Sequence, residues 1–193
     1  QDVSVQESRQ QGTYWALNEY ATGPLGAIPQ FCVEPQGAPV VTVTLPGGDV
    51  ETFEAAASPR CNTLSPILDV ELVYNAVGDT QSTLEAVDHK WARLVNGSTL
   101  ADNGDFVTPV DPSRYTLTTR AGYIYHLDQD FGVSSIEDPN GHTLTYSDNG
   151  IFHSEGKSIL FERNAEGRIE RIVDPKGNDL HYAINVSGDL TGV

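Results

Sequence analysis

The tetrapeptide Asp138-Pro139-Asn140-Gly141 returns as Asp174-Pro175-Lys176-Gly177, 36 residues later, and its flanks return in register. Ile136 matches Ile172, Leu144 matches Leu180, and Tyr146 matches Tyr182. Each copy carries the chemistry of a chain reversal. Proline fixes φ near −65° at the second turn position, and the aspartate before it accepts hydrogen bonds from the backbone that follows. Glycine then supplies the positive φ that returns the chain to the partner strand through a bulge. Asp138, Pro139, Gly141, Asp174, Pro175 and Gly177 are therefore turn residues, and Ile136, Leu144, Tyr146, Ile172, Leu180 and Tyr182 are the repeat core. Gly132, Gly150, Gly167 and Gly188 open successive shorter units. A hairpin of this size is marginal alone and is stabilised when the next pairs along its edge, so repetition predicts an extended sheet.

No segment sustains a helical period, and the chain reads as all-β. Residues 1–39 read as a polar N-terminal arm followed by a Pro/Gly-rich loop, with one short element at residues 13–21. Residues 40–113 read as an antiparallel β module. It opens with the alternating Val40–Leu45, a Pro46-Gly47-Gly48-Asp49 turn and the returning Val50–Glu54. The acidic, turn-rich residues 96–112 read as the boundary. Residues 114–193 read as the hairpin array, truncated within a repeat: Gly188–Val193 resembles an opening strand without its return. Such a strand would fray or pair with another chain. The absence of methionine fits a processed or excised piece.

The 193 residues carry 27 acidic and 11 basic side chains, a net charge of −16. That balance argues against nucleic acid and anionic membrane surfaces, both of which need Lys and Arg. No apolar run is long enough to span a bilayer as a helix. Two cysteines, Cys32 and Cys61, in an acidic chain fit an oxidised pair and a secreted or cell-surface setting. The alternative is two unrelated buried thiols.

Signals for chemistry are weak, and no enzyme activity is expected. No Gly-x-Ser-x-Gly elbow occurs. His153-Ser154-Glu155 are adjacent, so on a strand they would alternate between faces. Asp128 and Asp130 would share one face of an extended strand, the arrangement a polysaccharide-active enzyme would need. No cofactor is required. Calcium is a candidate ligand at Asp102 and Asp105, and at Asp128 and Asp130, although neither pair has EF-hand spacing. Trp15, Trp91, Tyr123 and Tyr125 would stack on a glycan if exposed; Trp and Tyr are more often half-buried in sheets.

The run Gly167-Arg168-Ile169-x-x-Ile172-x-Asp174-Pro175-x-Gly177-Asn178-x-x-x-Tyr182 resembles a YD repeat of the RHS family. Ala183 and Ile184 stand where the family places its Tyr-Asp; the earlier copy, Tyr146-Ser147-Asp148, is nearer the pattern. The likeness covers residues 115–193, is weaker over 40–114 and is absent from 1–39. It implies a secreted structural segment whose hairpins build a shell-like β-sheet that encloses or displays a toxin or adhesin. The implied partners are the rest of its own polypeptide, or copies of itself meeting at sheet edges. A carbohydrate- or surface-binding module is the alternative, and a polysaccharide-active enzyme a further one.

Overall fold

The computed structural model describes residues 3–185 and 187–193, and they form a nearly all-β chain of antiparallel sheets. Two compact units are present, residues 1–133 and 134–193.

The first unit contains β1 (Ser4–Glu7), β2 (Trp15–Thr22), β3 (Ile28–Pro35), β4 (Val40–Thr44), β5 (Val50–Ser58) and β6 (Cys61–Thr63). It continues with β7 (Asp69–Ala76), β8 (Thr83–Ala86), β9 (Trp91–Val95), β10 (Thr99–Asp102), β11 (Arg114–Thr118) and β12 (Ile124–Asp128). Hydrogen bonding links β1-β4-β5-β7-β8-β11-β12 in that order, and the end strands β1 and β12 touch. The sheet thus curls around one core. Alternation explains which residues fill it: Val5, Val41, Val43, Phe53, Ala55, Tyr74, Leu84, Tyr115, Leu117 and Leu127 all point inward and are buried.

A second core lies beside the first. β2, β3 and β6 form a three-stranded sheet, and β10 pairs with β9, which pairs with the start of β7. Trp15 and Val33 pack there with Ala57, Val70, Leu72, Leu94, Leu100 and Val110. The long strands β5 and β7 serve both cores, through Phe53 and Ala57, and through Tyr74 and Leu72. Each large apolar side chain removed from water here contributes about 1.5–3 kcal/mol.

Three expectations are corrected. The N-terminal 39 residues are not an arm and a loop, although residues 1 and 2 lie outside the described residues. β1 pairs with β4 along its whole length, from Ser4 opposite Thr44 to Glu7 opposite Val41. β2 and β3 form a fully paired hairpin. Two alternating valines, Val3 and Val5, suffice to bury an otherwise polar segment. The stretch at 96–112 contains β10 and is not a boundary. The division falls at 133/134 rather than 113/114, because β11 pairs with β8 and carries Tyr115 and Leu117 into the first core.

The second unit is an array of hairpins. β13 (Gly132–Glu137) crosses the division and is followed by β14 (Thr143–Ser147), β15 (Gly150–His153), β16 (Ser158–Arg163), β17 (Ile169–Val173) and β18 (Asp179–His181). Each pairs antiparallel with the next. β19 (Ala183–Ile184) and β20 (Leu190–Gly192) form a separate two-stranded hairpin, so the final residues have a return partner within the chain.

Candidate functional site: the open face of the hairpin array

One turn design recurs through the second unit. The amides of Gly141, Gly156, Gly167, Gly177 and Gly188 each donate to the carbonyl three residues earlier, at 2.9–3.0 Å. The residue accepting that bond donates its own amide to the carbonyl four residues on: Asp138 to His142 at 2.9 Å, and Asp174 to Asn178 at 2.8 Å. This is a three-residue loop closed by a positive-φ residue. Gly141 and Gly177 take φ of 84° and 86°.

The first residue of each turn locks it. Asp138 Oδ1 accepts from the amides of Asn140 (2.8 Å) and His142 (2.9 Å). Asp174 Oδ1 does the same for Lys176 and Asn178, and Asn164 Oδ1 for Glu166 and Arg168. Asn185 Oδ1 repeats the pattern with Ser187 and Asp189. The bonds from the His142 backbone are the main reason that the Asp138 carboxyl lies near 2. His142 is raised in turn, chiefly by its side-chain hydrogen bond to Asp138.

The strands between these turns gather most of their apolar residues on one face. On one face stand Ile136, Leu144, Tyr146, Ile151, Ile159, Phe161, Ile172 and Leu180, joined by the pairs Ile136–Leu144, Tyr146–Ile151, Ile151–Ile159, Phe161–Ile172 and Ile172–Leu180. On the other stand Ser135, Thr145, Phe152, Ser158, Leu160, Glu162, Arg171, Val173 and Asp179. There Arg171 bridges Glu162 (2.8 Å) and Asp179 (2.9 Å).

The apolar face lacks a second layer within its unit. Among the described residues after Val133, no apolar side chain is buried. Two shallow hollows mark the face. One, of about 230 Å³, is lined by Leu144, Ile151, Ile159 and Pro175 among others; the other, of about 260 Å³, by Ile169, Ile172, Tyr182, Ile184 and Leu190. Both are smaller than a typical small-molecule site.

The other candidate sites fare differently. Trp15 is fully buried, with its indole Nε1 donating to the Gln11 carbonyl at 2.8 Å, so it cannot stack on a glycan. Tyr125 packs against the first core. Trp91 and Tyr123 are exposed, but β7, β8 and β11 lie between β9, which carries Trp91, and β12. The four aromatics therefore do not form one platform.

The acidic pairs act as turn locks. Asp102 Oδ1 accepts from Gly104 N at 2.7 Å, and its Oδ2 lies 2.6 Å from His89 Nδ1. Asp105 accepts from Val107 and Thr108. Asp128 ends β12, and its Oδ1 accepts from the amides of Asp130 and Phe131. Asp130 lies in the following turn, so the two do not share an extended strand. Among the described residues, no three His, Cys, Asp or Glu side chains are grouped to hold a metal. His153 opens a turn, where its Nδ1 accepts from Glu155 N, and Ser154 Oγ accepts from Thr143 N. No nucleophile–base pair results.

A disulfide joins Cys32 on β3 to Cys61 on β6. Beside it, Glu34 accepts from Asn18 Nδ2, Tyr20 Oη and the Arg60 guanidinium. The Tyr20 bond, then that of Arg60, draws its carboxyl down to about 2.

A buried polar cluster escaped sequence reasoning. Glu7, at the end of β1, meets the hydroxyl of Tyr115, which also lies 3.1 Å from the Pro112 carbonyl. Tyr74 meets Tyr115 edge-on, with ring centroids 5.5 Å apart, and its hydroxyl is buried. Gln11 and Asp111 face the same carboxylate. Burial lifts Glu7 from 4.5 to about 7, and pushes both tyrosines up. These five residues come from three separate stretches of sequence, and no local pattern announces their meeting.

No family model, curated protein or solved structure matches the chain.

Proposed function

We propose that this chain is a scaffold segment of a larger secreted protein of the YD-repeat type. Its hairpins form part of a sheet wall, with the apolar face turned toward polypeptide that the wall encloses. The observation that supports this reading is the one-sided sheet. Eight apolar residues align on one face, the other is mostly polar, and the unit supplies no layer to cover the first. A sheet of this kind is stabilised when another layer packs on it at about 10 Å. The recurring turn makes such a sheet extensible hairpin by hairpin. The disulfide is compatible with an oxidising, extracellular setting. No described helix is long and apolar enough to cross a membrane.

Radical footprinting of the full native polypeptide tests the proposal. Leu144, Ile151, Ile159 and Ile172 are expected to be protected, while Phe152 and Leu160, on the opposite face, are labelled. Equal labelling of both faces would remove the basis for a covered wall.

A further inference from the structure

Two aromatic rings on the outside of the first unit carry a second conclusion, independent of the hairpin array. On β9, Ala92 and Leu94 point into the second core, so Trp91 and Arg93 point away from it, and both are exposed. Trp91 stands opposite Glu71 of β7, and Arg93 opposite Asp69. The Arg93 guanidinium lies 4.9 Å from the centre of the Phe106 ring, and Lys90 Nζ lies 5.9 Å from that of Trp91. Trp91, Arg93 and Phe106 thus meet on one sheet face, with 56% of Trp91 and 43% of Phe106 open to solvent.

The loop that carries Phe106 is held from both sides. Its φ is 57°, a left-handed conformation that bulky residues rarely adopt. The Phe106 amide donates to the Asp102 carbonyl at 2.8 Å, and Asp102 Oδ1 accepts from Gly104 N. Asp105 Oδ1 accepts from the amides of Val107 and Thr108, and its Oδ2 from Thr108 Oγ1 at 2.6 Å. The backbone under the ring is ordered before any ligand arrives, which lowers the cost of binding there.

The charges beside the rings are paired. Arg93 donates to both oxygens of Asp69 at 2.6 Å, and Lys90 meets Glu71 at 2.8 Å. An anionic ligand meets cations already neutralised, in a chain whose net charge of −16 repels it. A cationic ligand meets carboxylates that are neutralised or taken up by the loop. A protein partner would have to bury both ion pairs, and their desolvation offsets much of what the rings contribute. A sugar differs. The C–H face of a pyranose is apolar and stacks on an aromatic ring. Its hydroxyls donate and accept, so they bond to carboxylate and guanidinium while each ion pair stays intact.

We infer that the outer face of β9 is a binding site for an uncharged saccharide, which stacks on Trp91 and Phe106 and hydrogen-bonds the Asp69–Arg93 and Glu71–Lys90 pairs beside them. The chain has two tryptophans, and Trp15 is buried, so acrylamide quenching reports on Trp91. The native protein is applied to an array of uncharged and acidic oligosaccharides, and the sugars retained are titrated by calorimetry. Uncharged sugars should be retained in preference to acidic ones and should shield Trp91 from acrylamide. Trp91→Ala and Phe106→Ala should each weaken binding about tenfold or more. Phe106→Gly removes the ring and relieves the positive φ, so it should lose binding while its urea midpoint holds or rises. That variant keeps the test decisive should an alanine variant not fold. Retention of no uncharged sugar, a preference for acidic sugars, or unchanged affinity in Phe106→Gly would overturn the inference. Capture of a protein through Trp91 with no sugar retained would overturn it as well.

Discussion

Ile172 on β17 stands directly opposite Leu180 on β18. Ile136 and Leu144 stand in the same relation one repeat earlier. The pairs flank turns of identical hydrogen bonding, so the register of each hairpin is set by its turn and read out by its apolar pair.

Glycine substitutions should separate two costs. At Gly177 a Cβ would meet nothing within 4 Å, but φ is 86°. Gly177→Ala should therefore cost only the left-handed conformation, about 1–2 kcal/mol. At Gly150 a Cβ would lie 2.1 Å from the Ile159 carbonyl oxygen. Gly150→Ala should cost more and separate β15 from β16. Urea midpoints, with amide exchange of β16, check the order; equal losses at the two sites would contradict it.

Reduction of Cys32–Cys61 should destabilise the first unit. Closing a loop with a sequence separation of 29 contributes roughly 3–4 kcal/mol by chain-entropy reasoning. Fluorescence of the buried Trp15 follows this unit, and its urea midpoint should fall on reduction. An unchanged midpoint would mean that β2, β3 and β6 are held by packing alone.

Acid should act on the turns and on the disulfide sheet with one sign. Asp138 and Glu34 both titrate near 2 in the folded chain. Their contributions are complete above the unfolded values, near 4, and fade as pH falls toward 2. The amide shifts of Asn140 and His142 should move with a midpoint near 2. Asp138→Asn should keep the turn, as Asn164 and Asn185 do in their own turns, whereas Asp138→Ala should lose it. Equal behaviour of the two variants would show that the side-chain lock is dispensable.

Polar substitution on the open face should be tolerated by the fold. Ile151 and Ile159 are opposite one another and only half-buried. Ile159→Thr keeps β-branching, so the cost to the isolated chain should be under about 1 kcal/mol. The same change should reduce binding of an apolar dye. A loss of several kcal/mol would reveal a covering layer already present.

Much of the hairpin array was legible because its signals are local: a turn and its flanking alternation lie within about ten residues. Asp138 and Gly141 could be read so. Asn164 and His153 could not, since they open the same turn without the proline that marks it. Pairings across long separations were harder to see. β1 is a polar segment with two valines, and only its pairing to β4 makes it a strand. Trp15 suggested a stacking residue because sequence shows its size but not the second core that buries it. The Glu7–Tyr115 contact spans most of the first unit and leaves no periodic trace.

The shared turn also bears on how such a chain can change length. Strand, turn and returning strand form a unit whose apolar residues always emerge on the same side. Duplication or loss of a whole hairpin between matching glycines therefore leaves the two-faced character of the sheet intact. A one-residue slip inside a single turn would invert every side chain downstream. Copy number is the tolerant variable in this architecture, and spacing within a copy is the intolerant one.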